Sequence, residues 1–409
     1  MKTIRYAALA SASALALSAC GGAGADSAAT SPTETADTTA TTTDGPTASA
    51  ETTQTATAQT CVSEAYEALS EDQRLGQLLM VGFDTNAPRT ALDEYVRDSH
   101  VGNVIYLGGW EGIEKVRSTS EHLESLVDED STGDVGLLVA ADQEGGIVHQ
   151  LRGDGFTRPP KALDQAALSP AELTAAASGW GEEIAAAGVN VNLAPVADTV
   201  PEEIGTANEP IGRWGRQFGS DPAVVSENVA AFLDGMAAAD VVGIVKHFPG
   251  LGRVTGNTDF TAEGIEDTVA TADDPFLDPF VAGIEAGAGM VMMSSALYPN
   301  LDPDNQALYS SAIVTDLLRE QLGWDGVVIT DDVNAAALAD IPAAERAVGF
   351  IAAGGDIVLN GEPRAASEML DAIRSEMTAD PEFEARVESA VERVLTLKDE
   401  MGLLPCSAD

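Results

Sequence analysis

Three cysteines, four histidines and 21 basic residues are all that this 409-residue chain contains, against 66 acids. Three cysteines cannot build a disulfide-dense scaffold. Four histidines leave little room for a histidine-rich metal site. The formal charge of -45 repels phosphate backbones, so nucleic acid is excluded as a partner. Aromatic residues make up only 5% of the chain. Apolar runs stay short; the one at Ala7–Leu17 falls below the ~20 residues that span a bilayer. What is present is an apolar fraction of 44%, enough to bury a sizeable core. The length fits two or three domains or one large α/β barrel.

The N-terminus reads as a targeting segment. Lys2 and Arg5 precede the apolar run, and residues 1–19 have the layout of a signal peptide. The run ends Leu17-Ser18-Ala19-Cys20 and is followed by Gly21 and Gly22. That segment resembles a bacterial lipobox, in which the cysteine is lipidated. Cys20 is therefore the expected lipidation site, with an extracytoplasmic protein anchored to the cell membrane. Residues 20–60, nearly all Ala, Thr, Ser, Gly, Asp and Glu, are expected to form a disordered tether, because they cannot bury enough apolar surface to offset chain entropy. The folded domain is expected over residues 61–409.

Within it, Ser70 and Gln73 have the spacing of a capping box. Apolar, β-rich runs then recur at Leu78–Phe83, Val101–Leu107, Gly136–Ala141, Val189–Pro195, Val241–Val245, Met290–Met293, Val327–Thr330 and Asp356–Leu359. Near-continuous apolar runs mark parallel strands buried on both faces. Stretches rich in Ala, Glu and Leu, such as Pro170–Ala187 and Pro222–Ala239, separate them as helices. Eight such units predict a single (β/α)8 barrel of the TIM type, with a doubly wound open sheet as the alternative. The ends of a closed barrel are neighbours, so Cys61 and Cys406 are expected to pair as a disulfide.

Catalysis in a barrel sits at the C-terminal ends of its strands, and here those ends are polar. They carry Asp142-Gln143-Glu144-Gly145-Gly146, Asn192 through Asp198, Lys246-His247-Phe248-Pro249-Gly250 and Thr330-Asp331-Asp332. Charge placed directly after a buried apolar run is costly unless paired or used.

Together with Ile211–Gly219, these motifs resemble the catalytic domain of glycoside hydrolase family 3, in its bacterial β-N-acetylglucosaminidase branch. The resemblance implies a (β/α)8 barrel, a retaining mechanism, and no metal or organic cofactor. It implies Asp331 as nucleophile, with Asp332 as a supporting residue or cap. It also implies that Asp142, Arg216, Lys246 and His247 bind the sugar. Caps of a following helix are the structural expectation for Asp142 and Glu144; Glu144 is given no catalytic role. The implied substrate is an N-acetylglucosamine-containing glycan of cell-wall type, cleaved by a monomer. A β-glucoside substrate stays open as an alternative.

The chain departs from the family pattern after strand five. The pattern there reads K-H-F-P-G-H-G, four residues, then D-S-H, the last histidine being the acid/base. Here Leu251 stands at the first loop histidine, Asn257 at the aspartate and Asp259 at the catalytic histidine. Three readings follow. Asp259 is itself the acid/base, as in most retaining glycosidases; or another group such as His149 serves; or the barrel binds sugar or cell wall without cleaving it. Position 147, where many relatives carry a basic residue, is Ile147.

Overall fold

The structure, a computed structural model, describes residues 60–406. The expected signal peptide, Cys20 and the tether up to residue 59 lie outside the described residues. Among the described residues no helix is long and apolar enough to cross a membrane.

A helix over 60–68 leads to the short helix Glu71–Gly76. The Ser70 hydroxyl accepts from the Gln73 amide and the Gln73 side chain accepts from the Ser70 amide, the reciprocal cap that the spacing predicts. Eight parallel strands follow. They are β1 (Leu79–Asp84), β2 (Asn103–Leu107), β3 (Leu138–Ala141), β4 (Val191–Asn192), β5 (Val242–Phe248), β6 (Met290–Met293), β7 (Val327–Thr330) and β8 (Val358–Asn360). From β1 to β7 each pairs with the next in sequence, and β8 returns to β1 with Leu79 opposite Val358. An Ile329–Ile357 bridge joins β7 to the entry of β8. The sheet is thus a closed barrel, and the open-sheet alternative is ruled out.

Burial explains the sequence pattern. Every residue of β3, β6, β7 and β8 is buried, because one face packs the barrel interior and the other the surrounding helices. The helices Pro170–Ala185 and Pro222–Ala237 each begin with proline after a capping Ser169 or Asp221. β4 is shorter than the Val189–Pro195 run. Pro195 has no N–H to donate, and the chain bends there, rejoining β5 through Val196 opposite Lys246.

The two ends of the barrel are closed differently. At the N-terminal end, Lys398 of the helix Pro381–Glu400 is fully buried. Its Nζ donates to Gln77 Oε1 (2.6 Å) and to the Gly102 and Gly136 carbonyls (2.9 Å each), the residues just ahead of β1, β2 and β3. Beside β7, buried Asp356 accepts from Arg319 (2.7 Å), Arg393 (2.8 Å) and the Val328 amide (2.6 Å). Cys61 and Cys406 are disulfide-bonded, with Cα atoms 5.7 Å apart.

Candidate active site

The chain leaves β3 at Asp142 and turns back through a hairpin of Gln143–Gly145 against Val148–His149. No helix begins here, so the alternative of a helix cap at Asp142 or Glu144 falls away. Gly145 and Gly146 form the turn with φ of 110° and 60°, and a Cβ on Gly145 would lie 2.1 Å from the Pro160 carbonyl, which demands glycine. Asn192 of β4 fixes the hairpin, accepting from the Gln143 amide at 3.0 Å.

The hairpin carries two carboxylates into a cationic centre. Lys246 Nζ lies 2.6 Å from Asp142 Oδ1 and 2.7 Å from Glu144 Oε1. Arg216 grips Glu144 with two prongs, Nε to Oε2 at 2.8 Å and Nη2 to Oε1 at 2.7 Å. Two cations and two anions balance in a nearly dry cluster. Burial alone would raise the Glu144 carboxyl, but Arg216 and Lys246 outweigh it and hold the pKa at about 2. Burial likewise pushes the Lys246 ammonium down, yet Asp142 and Glu144 leave it raised.

A bulge re-aims the next side chains. In the β5–β6 pairing Met292 faces Lys246 while Met293 faces Phe248, so His247 is the extra residue. Its ring Nδ1 lies 2.7 Å from Asp198 Oδ2. Asp198 is fully buried, and its Oδ1 accepts from the Leu251 amide at 2.7 Å and the His247 amide at 3.3 Å. With Nδ1 donating to this carboxylate, Nε2 is the ring nitrogen left to the pocket.

Asp331 ends β7. Its amide donates to the Met293 carbonyl and its Oδ1 accepts from the Asp332 amide at 2.9 Å. Asp332 braces the loop: its Oδ1 accepts from the Asn334 amide (3.0 Å), Asn334 Nδ2 (2.8 Å) and the Gly361 amide (3.0 Å).

The loop after β5 swings back over this segment. The Ala336 and Ala337 amides donate to the Asp259 and Thr258 carbonyls at 3.2 and 3.0 Å. Asn257, at the position of the family's aspartate, accepts the Asp259 amide at 3.0 Å and shapes the turn. Further back, Arg253 pins the loop with Nη1 and Nη2 on Asp274, and its guanidinium lies 3.8 Å from the centre of the Phe276 ring. Asp259 is exposed as a residue, yet it borders the pocket. Partial burial, then the charge of Asp331, raises its pKa to about 6 against the pull of Arg216 and His247.

One pocket of about 170 Å³ collects Asp142, Arg216, Lys246, His247, Asp259 and Asp331. Every sugar-binding or catalytic residue expected from the sequence is therefore in one place. His149 is not among the lining residues; its neighbour Val148 is, and burial, then Arg158 and Arg152, lower the pKa of the imidazole. Glu144 and Asp198 were missed as site residues. The desolvation argument applied to Asp142 was available for Glu144 too, since it also follows a buried run and demands a partner. A larger cavity of about 590 Å³ opens at the other end of the barrel, lined by Gly136, Asn190, Asp240 and Leu403 among others. None of the site residues reaches it.

The glycosyl hydrolase family 3 N-terminal domain matches residues 70–397. A β-hexosaminidase of Stenotrophomonas maltophilia (strain R551-3) is 37% identical over 257 residues, covering 58% of this chain and 70% of its own. The crystal structure of a β-N-acetylhexosaminidase from Beutenbergia cavernae DSM 12333 superposes with a TM-score of 0.78 at 50% identity, over 81% of this chain and 98% of that one. A family 3 β-N-acetylglucosaminidase from Paenibacillus sp. str. FPU-7 gives 0.70 at 29% identity, over 82% and 63%. On this match of sequence and barrel, the chain belongs to glycosyl hydrolase family 3 and is a glycoside hydrolase.

Proposed function

We propose that the protein is a retaining β-N-acetylhexosaminidase that removes terminal N-acetylglucosaminyl residues from cell-wall-type glycans, with Asp331 as nucleophile and Asp259 as acid/base. Asp331 attacks the anomeric carbon while Asp259 gives its proton to the glycosidic oxygen, so the C–O bond breaks and the leaving group departs as an alcohol. Asp259, now a carboxylate, then takes a proton from water. The hydroxide formed attacks the anomeric carbon and frees Asp331. Asp142, Lys246, Arg216 and His247 hold the sugar hydroxyls and the acetamido group.

The observation that carries this reading is that Asp259 and Asp331 line one pocket, close enough for the charge on Asp331 to raise the other carboxyl. A carboxyl protonated near neutral pH is what an acid catalyst needs. The acetamido sugar is supported by the relatives' activities as β-hexosaminidases.

Turnover of an aryl β-N-acetylglucosaminide and of an unactivated N-acetylglucosaminyl disaccharide by the full chain tests it. Activity on both, lost in Asp331→Asn, is expected. Asp259→Asn should spare the first chemical step on the aryl substrate, whose leaving group needs little acid help, and abolish the disaccharide reaction. Sugar binding with no turnover of either substrate would instead make the barrel a wall-binding protein.

Lipidation of Cys20 would hold a monomeric enzyme at the outer face of the cell membrane. Cys20→Ala should release it into the medium; retention on membranes would exclude the anchor.

A further inference from the structure

We infer that Phe260 is the leaving-group platform of this site, stacking on the second pyranose ring of the substrate. The inference rests on Asp259 being the acid/base. Phe260 is 82% exposed, more than any other large hydrophobic side chain among the described residues. Leaving such a ring in water forgoes the favourable burial of its apolar surface.

Its position is set by chemistry. An acid catalyst stands within hydrogen-bond reach of the glycosidic oxygen, so the leaving group begins where Asp259 ends, and Phe260 is the next residue. The pocket of about 170 Å³ is smaller than the ~300 Å³ at which ligand pockets usually begin and suits one sugar ring. The remainder of the substrate must emerge past the loop.

The backbone that carries the ring is tied down. The Phe260 and Thr261 amides both donate to the Asn257 carbonyl, at 2.9 and 3.0 Å. The Asp259 carbonyl is tied to Ala336, and Arg253 anchors the loop's other limb to Asp274. A pyranose offers a face of C–H bonds to an aromatic ring, and a ring carried on an ordered turn leaves only its own side-chain rotation to be lost on binding.

The test compares kcat/KM for an N-acetylglucosaminyl-β-1,4-N-acetylglucosamine disaccharide with that for N-acetylglucosaminyl fluoride, whose leaving group has no ring. Phe260→Ala should lower the disaccharide-to-fluoride ratio roughly 3- to 10-fold, mainly through KM, and Phe260→Trp should restore it. The ratio cancels any loss of folded protein. An unchanged ratio in Phe260→Ala, with both substrates turned over, overturns the platform. So does a fall of the ratio in Trp214→Ala but not in Phe260→Ala, Trp214 being another exposed aromatic side chain among the described residues. If the unsubstituted chain cleaves neither substrate, the hydrolase reading fails and takes the platform with it.

Discussion

Arg216 holds Glu144 through Nε and Nη2, one on each carboxylate oxygen, while Lys246 Nζ lies 2.7 Å from Oε1, the oxygen that Nη2 also reaches. Glu144 is thus the counter-ion that Arg216 and Lys246 share.

Removing that counter-ion should be felt in stability first. Glu144→Gln leaves the buried cluster one charge out of balance, and a loss of roughly 3–5 kcal/mol is expected by denaturant unfolding at pH 7. The folded pKa of about 2 lies below the ordinary 4.5. The stabilisation is therefore fully present above about pH 4.5 and lost as pH falls through about 2. The gap between parent and variant should narrow over that window. A constant gap would assign the loss to packing.

The pH profile reports on Asp259. Its pKa of about 6 leaves it protonated below that value and ionised above. For the unactivated disaccharide, kcat/KM should fall above a pH of about 6, and Asp259→Asn should abolish that limb together with the activity. A profile flat through pH 6 to 8 would exclude Asp259 as the acid.

The two carboxyls should also answer to each other. Because the charge of Asp331 is one cause of the raised value, Asp331→Asn should lower the Asp259 pKa from about 6 toward the ordinary 3.8, with burial keeping part of the shift. Carbon-13 carboxyl titration by NMR reads this without any turnover. An Asp259 resonance that titrates at the same pH in both proteins would separate the groups.

At the other end of the barrel, Lys398→Met should lower stability without touching the site. Three buried oxygens, on Gln77, Gly102 and Gly136, lose their donor, each at about 1–3 kcal/mol if left dry. A net loss of roughly 2–5 kcal/mol is expected, with kcat/KM within twofold of the parent. Unaltered unfolding would show that water had taken over the three bonds.

The eight strands are legible because strands buried on both faces must be apolar throughout, and such runs recur here between stretches rich in Ala, Glu and Leu. β4 is shorter than its apolar run, since regular pairing stops at Asn192 and resumes only as a single bridge at Val196, beyond Pro195. Asp142, Lys246 and Asp331 stood out as charges placed after buried runs. Glu144 and Asp198 have the same origin but were passed over, because their meaning lies in partners far along the chain. Arg216 is 72 residues from Glu144, and His247 is 49 from Asp198. Local spacing carries no trace of such pairs. The alternative of a helix cap at Asp142 or Glu144 falls for a local reason: two glycines at positive φ turn the chain into a hairpin before a helix can start.

The Cys61–Cys406 bond spans 345 residues and turns the barrel domain into a covalent ring. A pull arriving along the chain ahead of residue 61 does not peel off the first helix and then unwind the barrel strand by strand. It is shared at once with the last turn of the chain, so the load bears on both ends of the ring together. An enzyme held by its N-terminus against a moving surface would gain mechanical endurance from that one link.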